Sequence, residues 1–145
     1  MYIERDFVRI AKRENNAKRS FLIVNPLQGK HIPVSPSQAI SIFSDIAKLI
    51  YKEYKNEKLL IIGFAETATA IGSQIAIDLK CDYIQTTREI LNDAQYLFFS
   101  EEHSHATEQK LVRNGLDSKI DSYQRIVFVD DEISTGKTIL WNSQY

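Results

Sequence analysis

Residues 125–138 read RIVFVDDEISTGKT. Ile126, Val127, Phe128 and Val129 form an apolar run of strand length, expected to be buried. Asp130 and Asp131 sit at its carboxyl end. Ser134, Thr135, Gly136, Lys137 and Thr138 then make a small, hydroxyl-rich loop, expected to open a helix. This order suits a ligand with a sugar diol and a phosphate. Diol hydroxyls donate to carboxylates. A phosphate accepts from backbone N–H groups and hydroxyls at a helix N-terminus, where the helix dipole also favours an anion. Gly136 permits a close backbone approach that a Cβ would hinder.

Three rival readings apply to the same residues. Gly136-Lys137-Thr138 matches the end of a P-loop, but the glycine needed at position 131 is Asp131, a carboxylate where a phosphate should lie. A phosphatase-type Asp-x-Asp pair would need its second Asp at 132, where Glu132 stands. A strand followed by a polar turn is also compatible with plain α/β scaffolding.

Composition sets outer bounds. The chain has 145 residues, enough for one domain with a real core. Apolar residues make up 43% and charged residues 26%, the balance of an ordinary globular protein. A net charge of −1 gives no sign of a broad nucleic-acid surface, and no nucleic-acid partner is expected. Cys81 is the only cysteine, so no internal disulfide can form. The opening MYIERDFVRIAKRE is charged throughout and lacks a signal-peptide core. No apolar run approaches the roughly 20 residues of a membrane span. A cytoplasmic protein without a membrane partner is expected.

Two regions are expected along the chain. Residues 1–36 form a basic leader, with Lys12, Arg13, Lys18 and Arg19, followed by a hairpin. Phe21-Leu22-Ile23-Val24 reads as a strand, Asn25 to His31 as a turn rich in Pro, Gly and Asn, and Ile32-Pro33-Val34 as an edge strand. Residues 37–145 form an α/β core. Ser35-Pro36-Ser37 opens a helix whose apolar face is Ile40, Phe43, Ile46, Ala47, Ile50 and Tyr54. Leu59-Leu60-Ile61-Ile62-Gly63 is a continuous apolar strand, suited to the buried middle of a parallel sheet. A helix burying Ala68, Ile71, Ile75 and Leu79 follows, then strands at 81–86 and 96–99. Residues 100–108 are polar and rich in potential ligands. His103-Ser104-His105 with nearby Glu residues could hold a transition metal, or lie in solvent without chemistry.

The 125–138 stretch resembles the ribose-phosphate motif of the type I phosphoribosyltransferases. QGKHIPVSP, GFAETATAIG, TTRE and FSEEHSHATEQ are similar to the phosphoribosyltransferase-like proteins associated with bacterial tellurium-resistance gene clusters, which are orotate-type in fold. The resemblance implies a mainly parallel sheet flanked by helices, and transfer of ribose 5-phosphate between phosphoribosyl pyrophosphate and a nitrogen base. It implies that Asp130 and Asp131 hold the ribose hydroxyls as the catalytic pair, and that residues 134–138 hold the 5-phosphate. Phe64, Ala65, Glu66, Thr67 and Arg88 would take the pyrophosphate, and His103 and His105 would lie in a mobile loop over the reaction centre. The hairpin of residues 1–36 would be a hood over the base, with Lys30 and His31 at its tip. The implied cofactor is Mg2+, carried with the substrate, with Asp130 and Asp131 as its candidate protein ligands. A second expectation, from another class, is a non-catalytic nucleotide-binding regulatory module; Glu132, where the family has an apolar residue or Ser, favours it. After Thr138 the family's core needs a full helix and further strands. A truncated form is therefore expected, or a second copy covering that face, with a homodimer as the assembly.

Overall fold

A computed structural model describes residues 8–12, 21–29, 32–99 and 109–131. The chain divides into two compact units, residues 1–42 and 43–145. In the first, β1 (Arg9–Lys12) pairs antiparallel with β2 (Phe21–Val24), Arg9 opposite Val24 and Lys12 opposite Phe21. This corrects the expected hairpin. The partner of β2 comes from the stretch read as a leader, and residues 32–34 form no strand. Pro33 has no N–H to give to a ladder, and Ile32 is exposed. The expected turn does follow β2: Asn25 Oδ1 accepts from the Leu27 N–H at 2.9 Å, Pro26–Gln28 form one 3-10 turn, and Gly29 takes the left-handed φ of 72° that suits glycine. Lys30 and His31 lie outside the described residues.

The helix α1 (Pro36–Tyr54) begins as its sequence dictates. Pro36 needs no N–H acceptor at the first position, and the Ser35 carbonyl accepts from Gln38 and Ala39. Its buried stripe is Ala39, Ile42, Phe43 and Ala47. Ile40, expected in the core, is 45% exposed, at the margin of that stripe. Lys48, Lys52, Glu53 and Lys55 face solvent as expected.

The second unit is built on β3 (Leu59–Gly63), all five residues of which are buried. It is the middle strand of a parallel sheet ordered β4-β3-β7, with β4 (Asp82–Gln85) and β7 (Arg125–Val129) at its sides. Successive side chains of a strand point to opposite faces. Leu60 and Ile62 join Phe64, Phe99, Leu111 and Leu116 in one apolar cluster, with Ile84, Tyr123 and Phe128 packed against it. The other face receives α2 (Thr69–Leu79), which buries Ile71, Gly72, Ile75 and Ala76. The expected fold class, a parallel sheet flanked by helices, is the one observed.

Two features depart from the sequence reading. The strand at 126–129 was expected to be buried, yet Ile126 is 37% exposed and only Val129 is buried. Among the described residues β7 has a neighbour on one side only, so it is the edge of the described sheet. The strand at 96–99 is present as β5 (Tyr96–Phe99), but it pairs antiparallel with β6 (Gln109–Val112), which the sequence reading missed. Thr87 and Lys110 exchange backbone hydrogen bonds of 2.7 and 3.0 Å, so this hairpin is stitched to the end of β4. Among the described residues no helix is long and apolar enough to cross a membrane.

Candidate functional site at the carboxyl ends of the parallel strands

Parallel strands place the segments that follow them at one edge of the sheet, where ligands of open α/β folds bind. Here three such segments meet. The Phe64 N–H donates to the Val129 carbonyl at 2.9 Å, and the Thr86 N–H to the Gly63 carbonyl at 3.0 Å, so the ladders continue past the strands. Phe64 itself is 7% exposed and turns into the core. Its ring stands 5.4 Å from Phe99, edge-on, and 6.0 Å from Phe128, stacked. Of the residues expected around a pyrophosphate, Phe64 therefore supports the turn from below and offers no side chain to it.

Residues 64–68 make a tight turn into α2. Ala68 N–H donates to the Phe64 carbonyl at 3.1 Å, Thr69 N–H to the Glu66 carbonyl at 3.3 Å, and the Ala65–Glu66 peptide is cis. The Ala65 N–H donates to Thr86 Oγ1 at 2.8 Å, so this group is taken. Thr86, fully buried, donates in turn to Gln109 Oε1 at 2.7 Å, and Gln109 Nε2 donates back to the Ala65 carbonyl. The exposed Glu66 and Thr67 follow, and their backbone N–H groups have no acceptor among the described residues. The Thr67 hydroxyl donates to Asp131 Oδ1 at 2.6 Å, the short length of a bond to a carboxylate. The Asp131 N–H donates to Asp130 Oδ1 at 2.9 Å. Both aspartates are half-buried.

Close packing of β3, α2 and β4 sets where this turn stands. A Cβ on Gly72 would lie 2.8 Å from Tyr83 Cε2 and 3.4 Å from Gly63 Cα. Tyr83 Oη is 3.3 Å from both the Thr69 carbonyl and Gln85 Oε1. Burial pushes the Tyr83 phenol above its usual range, and its hydroxyl donates to the first turn of α2. Arg88, just after β4, is exposed and has no ion-pair partner among the described residues. Ser134, Thr135, Gly136, Lys137 and Thr138, and likewise His103 and His105, lie outside the described residues.

The structure thus brings Thr67, Asp130 and Asp131 together, with Glu66 beside Thr67 in the turn. Thr86, Gln109 and Tyr83 hold the turn, and the sequence reading did not single them out. Thr86 opens the quoted TTRE and Gln109 closes the quoted FSEEHSHATEQ, so the resemblance covers both without giving either a role. Among the described residues no group of three His, Cys, Asp or Glu could hold a metal by itself. Asp130 and Asp131 are hard oxygen donors, which fit Mg2+ when it keeps substrate and water oxygens as its other ligands.

Residues 7–144 match the family described as phosphoribosyl transferase. The fold is similar to adenine phosphoribosyl transferase from Trypanosoma brucei, solved in complex with AMP, pyrophosphate and ribose-5-phosphate. The TM-score is 0.57 at 19% identity, over 92% of this chain and 55% of that one. It is also similar to adenine phosphoribosyltransferase from Leishmania tarentolae, with a TM-score of 0.56 at 15% identity, over 94% of this chain and 62% of that one. At these identities the likeness is one of fold. The chain spans 55% and 62% of the length of these two proteins. No curated protein matches it.

Proposed function

This chain belongs to the phosphoribosyltransferase family, and from that membership we propose that it binds phosphoribosyl pyrophosphate and transfers ribose 5-phosphate to or from a nitrogen base. One observation carries the reading: the 2.6 Å bond from Thr67 to Asp131, which joins the turn after β3 to the acidic pair after β7. A turn whose Glu66 and Thr67 N–H groups have no acceptor among the described residues, beside two carboxylates, can receive an anion and a diol on adjoining surfaces.

In this reading the nitrogen attacks the anomeric carbon as the bond to the pyrophosphate oxygen breaks. Positive charge builds on the ribose ring, and negative charge on the leaving group. Asp130 and Asp131 accept from the ribose hydroxyls and offset the ring charge. The N–H groups of Glu66 and Thr67, with Arg88, take the pyrophosphate; a guanidinium can hold two phosphate oxygens at once. Residues 134–138 hold the 5-phosphate by the motif reading of the sequence. Bound Mg2+, held by substrate oxygens with Asp130 and Asp131, would supply electrostatic stabilisation of the leaving group. The narrower kinship, to the proteins of tellurium-resistance clusters, rests on the sequence wording quoted above.

Calorimetric titration of phosphoribosyl pyrophosphate with Mg2+ into the wild type and an Asp130→Asn/Asp131→Asn variant tests the reading. Saturable binding in the wild type, lost in the variant, supports it, and turnover with a panel of bases then identifies the acceptor. No binding by folded wild type sinks it. Binding without turnover on any base supports the regulatory module instead.

A further inference from the structure

Three hydrogen bonds form a closed ring around one residue. Ala65 gives its N–H to Thr86 Oγ1, and its carbonyl receives the Gln109 amide. The Thr86 hydroxyl, already an acceptor, has one hydrogen left and gives it to Gln109 Oε1. The direction of every bond is therefore forced. The position at 109 must present an acceptor and a donor side by side, which a primary amide does and a carboxylate or a hydrocarbon does not. Thr86 is fully buried, and every buried side-chain nitrogen and oxygen among the described residues has a partner, so the ring is satisfied.

The ring holds both backbone groups of Ala65, the residue that leads into the turn, and so fixes where Glu66 and Thr67 stand. The next residue, Thr67, carries the second N–H without an acceptor among the described residues, and the hydroxyl on Asp131. Gln109 is the first residue of β6, and its neighbour Lys110 is stitched to Thr87. The amide is thus braced by the hairpin rather than by the turn it holds.

We propose that Gln109, with Thr86, is a positioning residue that aims the N–H groups of Glu66 and Thr67 at the pyrophosphate; this rests on the phosphoribosyl pyrophosphate reading above. Gln109 touches no ligand and acts through the Ala65 peptide. It therefore affects the affinity for pyrophosphate more than that for ribose 5-phosphate, whose aspartates meet the turn through the single Thr67–Asp131 bond.

The test uses the full chain, with Gln109→Glu and Gln109→Met as two variants of similar length that both lose the donor. Thr86→Val opens the ring at its other member, and Thr86→Ser should restore it. Affinities for inorganic pyrophosphate with Mg2+ and for ribose 5-phosphate are measured separately. Amide spectra of the ligand-free proteins report on the Glu66 and Thr67 N–H groups. The expected result is weakening of pyrophosphate binding by about tenfold in the Gln109 and Thr86→Val variants, with a clearly smaller loss for ribose 5-phosphate and the Glu66 and Thr67 resonances moved. Pyrophosphate affinity within about twofold of wild type in the variants, or an equal loss for both ligands, overturns the proposal. Wild type that binds neither ligand overturns the parent reading as well, and that outcome is told apart because the unmutated protein is the one that fails.

Discussion

Gly72→Ala is a test of how tightly β3, α2 and β4 are pressed together beneath the site. Two opposing terms act at this position. Alanine is the better helix former by about 1 kcal/mol, so an unobstructed helix would gain that much. The new Cβ, however, would stand 2.8 Å from Tyr83 Cε2, closer than carbon atoms can approach. Either the ring or the helix must move, and overpacking of this kind costs about 1–3 kcal/mol. The net expectation is a loss of about 1 kcal/mol, or a fall in Tm of about 3 °C for a chain of this size. The remaining neighbour, Gly63 Cα at 3.4 Å, is in ordinary contact, so the obstruction is the ring alone.

The sign should therefore reverse when the ring is absent. In a Tyr83→Val background, which keeps a residue suited to a strand, Gly72→Ala should stabilise by about 1 kcal/mol. The coupling between the sites is then about 2 kcal/mol, read from four urea denaturation curves with unchanged slopes. Gly63→Ala provides a control. Its Cβ would meet Tyr83 Oη at 2.8 Å but also the Ala68 carbonyl at 3.3 Å, and that backbone atom stays when Tyr83 is replaced. Gly63→Ala should thus destabilise in both backgrounds. If the effect of Gly72→Ala is the same with and without the Tyr83 ring, to within about 0.5 kcal/mol, the packing account is refuted.

Three other outcomes are expected. Thr67→Val should weaken phosphoribosyl pyrophosphate binding by about tenfold in calorimetry while leaving Tm almost unchanged, because the hydroxyl on Asp131 is exposed. Chelation of divalent ions should abolish saturable binding of phosphoribosyl pyrophosphate and leave the Tm of the ligand-free protein in place, a comparison that needs only a thermal melt beside the titration. The Arg125 guanidinium, hydrogen-bonded to Glu57 at 2.9 and 3.0 Å, holds that carboxyl below its ordinary 4.5. A lowered folded pKa gives stability that is present above the unfolded value and lost as pH falls through the folded one. Glu57→Gln should therefore flatten the acid limb of the stability profile below about pH 4.5, and an unchanged limb would remove this pair from the acid response.

The parts of the fold that could be read in advance are those decided locally. Leu59–Gly63 is five apolar residues in a row, a pattern that only a strand covered on both faces needs, and β3 is that strand. Ser35-Pro36 marks the start of α1 because the missing N–H of Pro36 is an orphan there anyway. Errors arose where a distant partner decides. The turn after Val24 suggested a hairpin with the residues that follow, but β2 takes its partner from Arg9–Lys12. The apolar run at 126–129 has the composition of an interior strand, yet it stands at the edge of the described sheet and Ile126 is 37% exposed. β6 escaped notice because its second residue is a lysine. Lys110 is 9% exposed, with its nitrogen 5.6 Å from the centre of the Tyr96 ring, so the charge sits on an aromatic face while the stem fills the interior. At the site, Asp130 and Asp131 were readable from the order of residues in one stretch. The Thr86 and Gln109 ring was not, since it joins positions 21, 23 and 44 residues apart and no spacing rule reaches that far.

This division has a physical basis in how an anion-binding turn must be made. N–H groups that wander lose the advantage of being in place before the ligand arrives, since ordering a backbone residue costs about 1–2 kcal/mol. The turn at 64–68 is held from three directions: the Val129 carbonyl of β7, the Thr86 hydroxyl beyond β4, and the Gln109 amide of β6. Phe64 fills the space below it, against Phe99 and Phe128. All of these holding contacts involve groups directed inward. The groups left outward are the ones with chemistry to offer: Glu66, Thr67 and Arg88, all exposed, and the half-buried aspartate pair. A carboxylate or arginine buried as deeply as Thr86 would need a fixed counter-charge of its own, and would then have less to give a ligand. Buried neutral groups that set the geometry, with exposed charged groups that meet the ligand, let the turn stay rigid while its charges remain available.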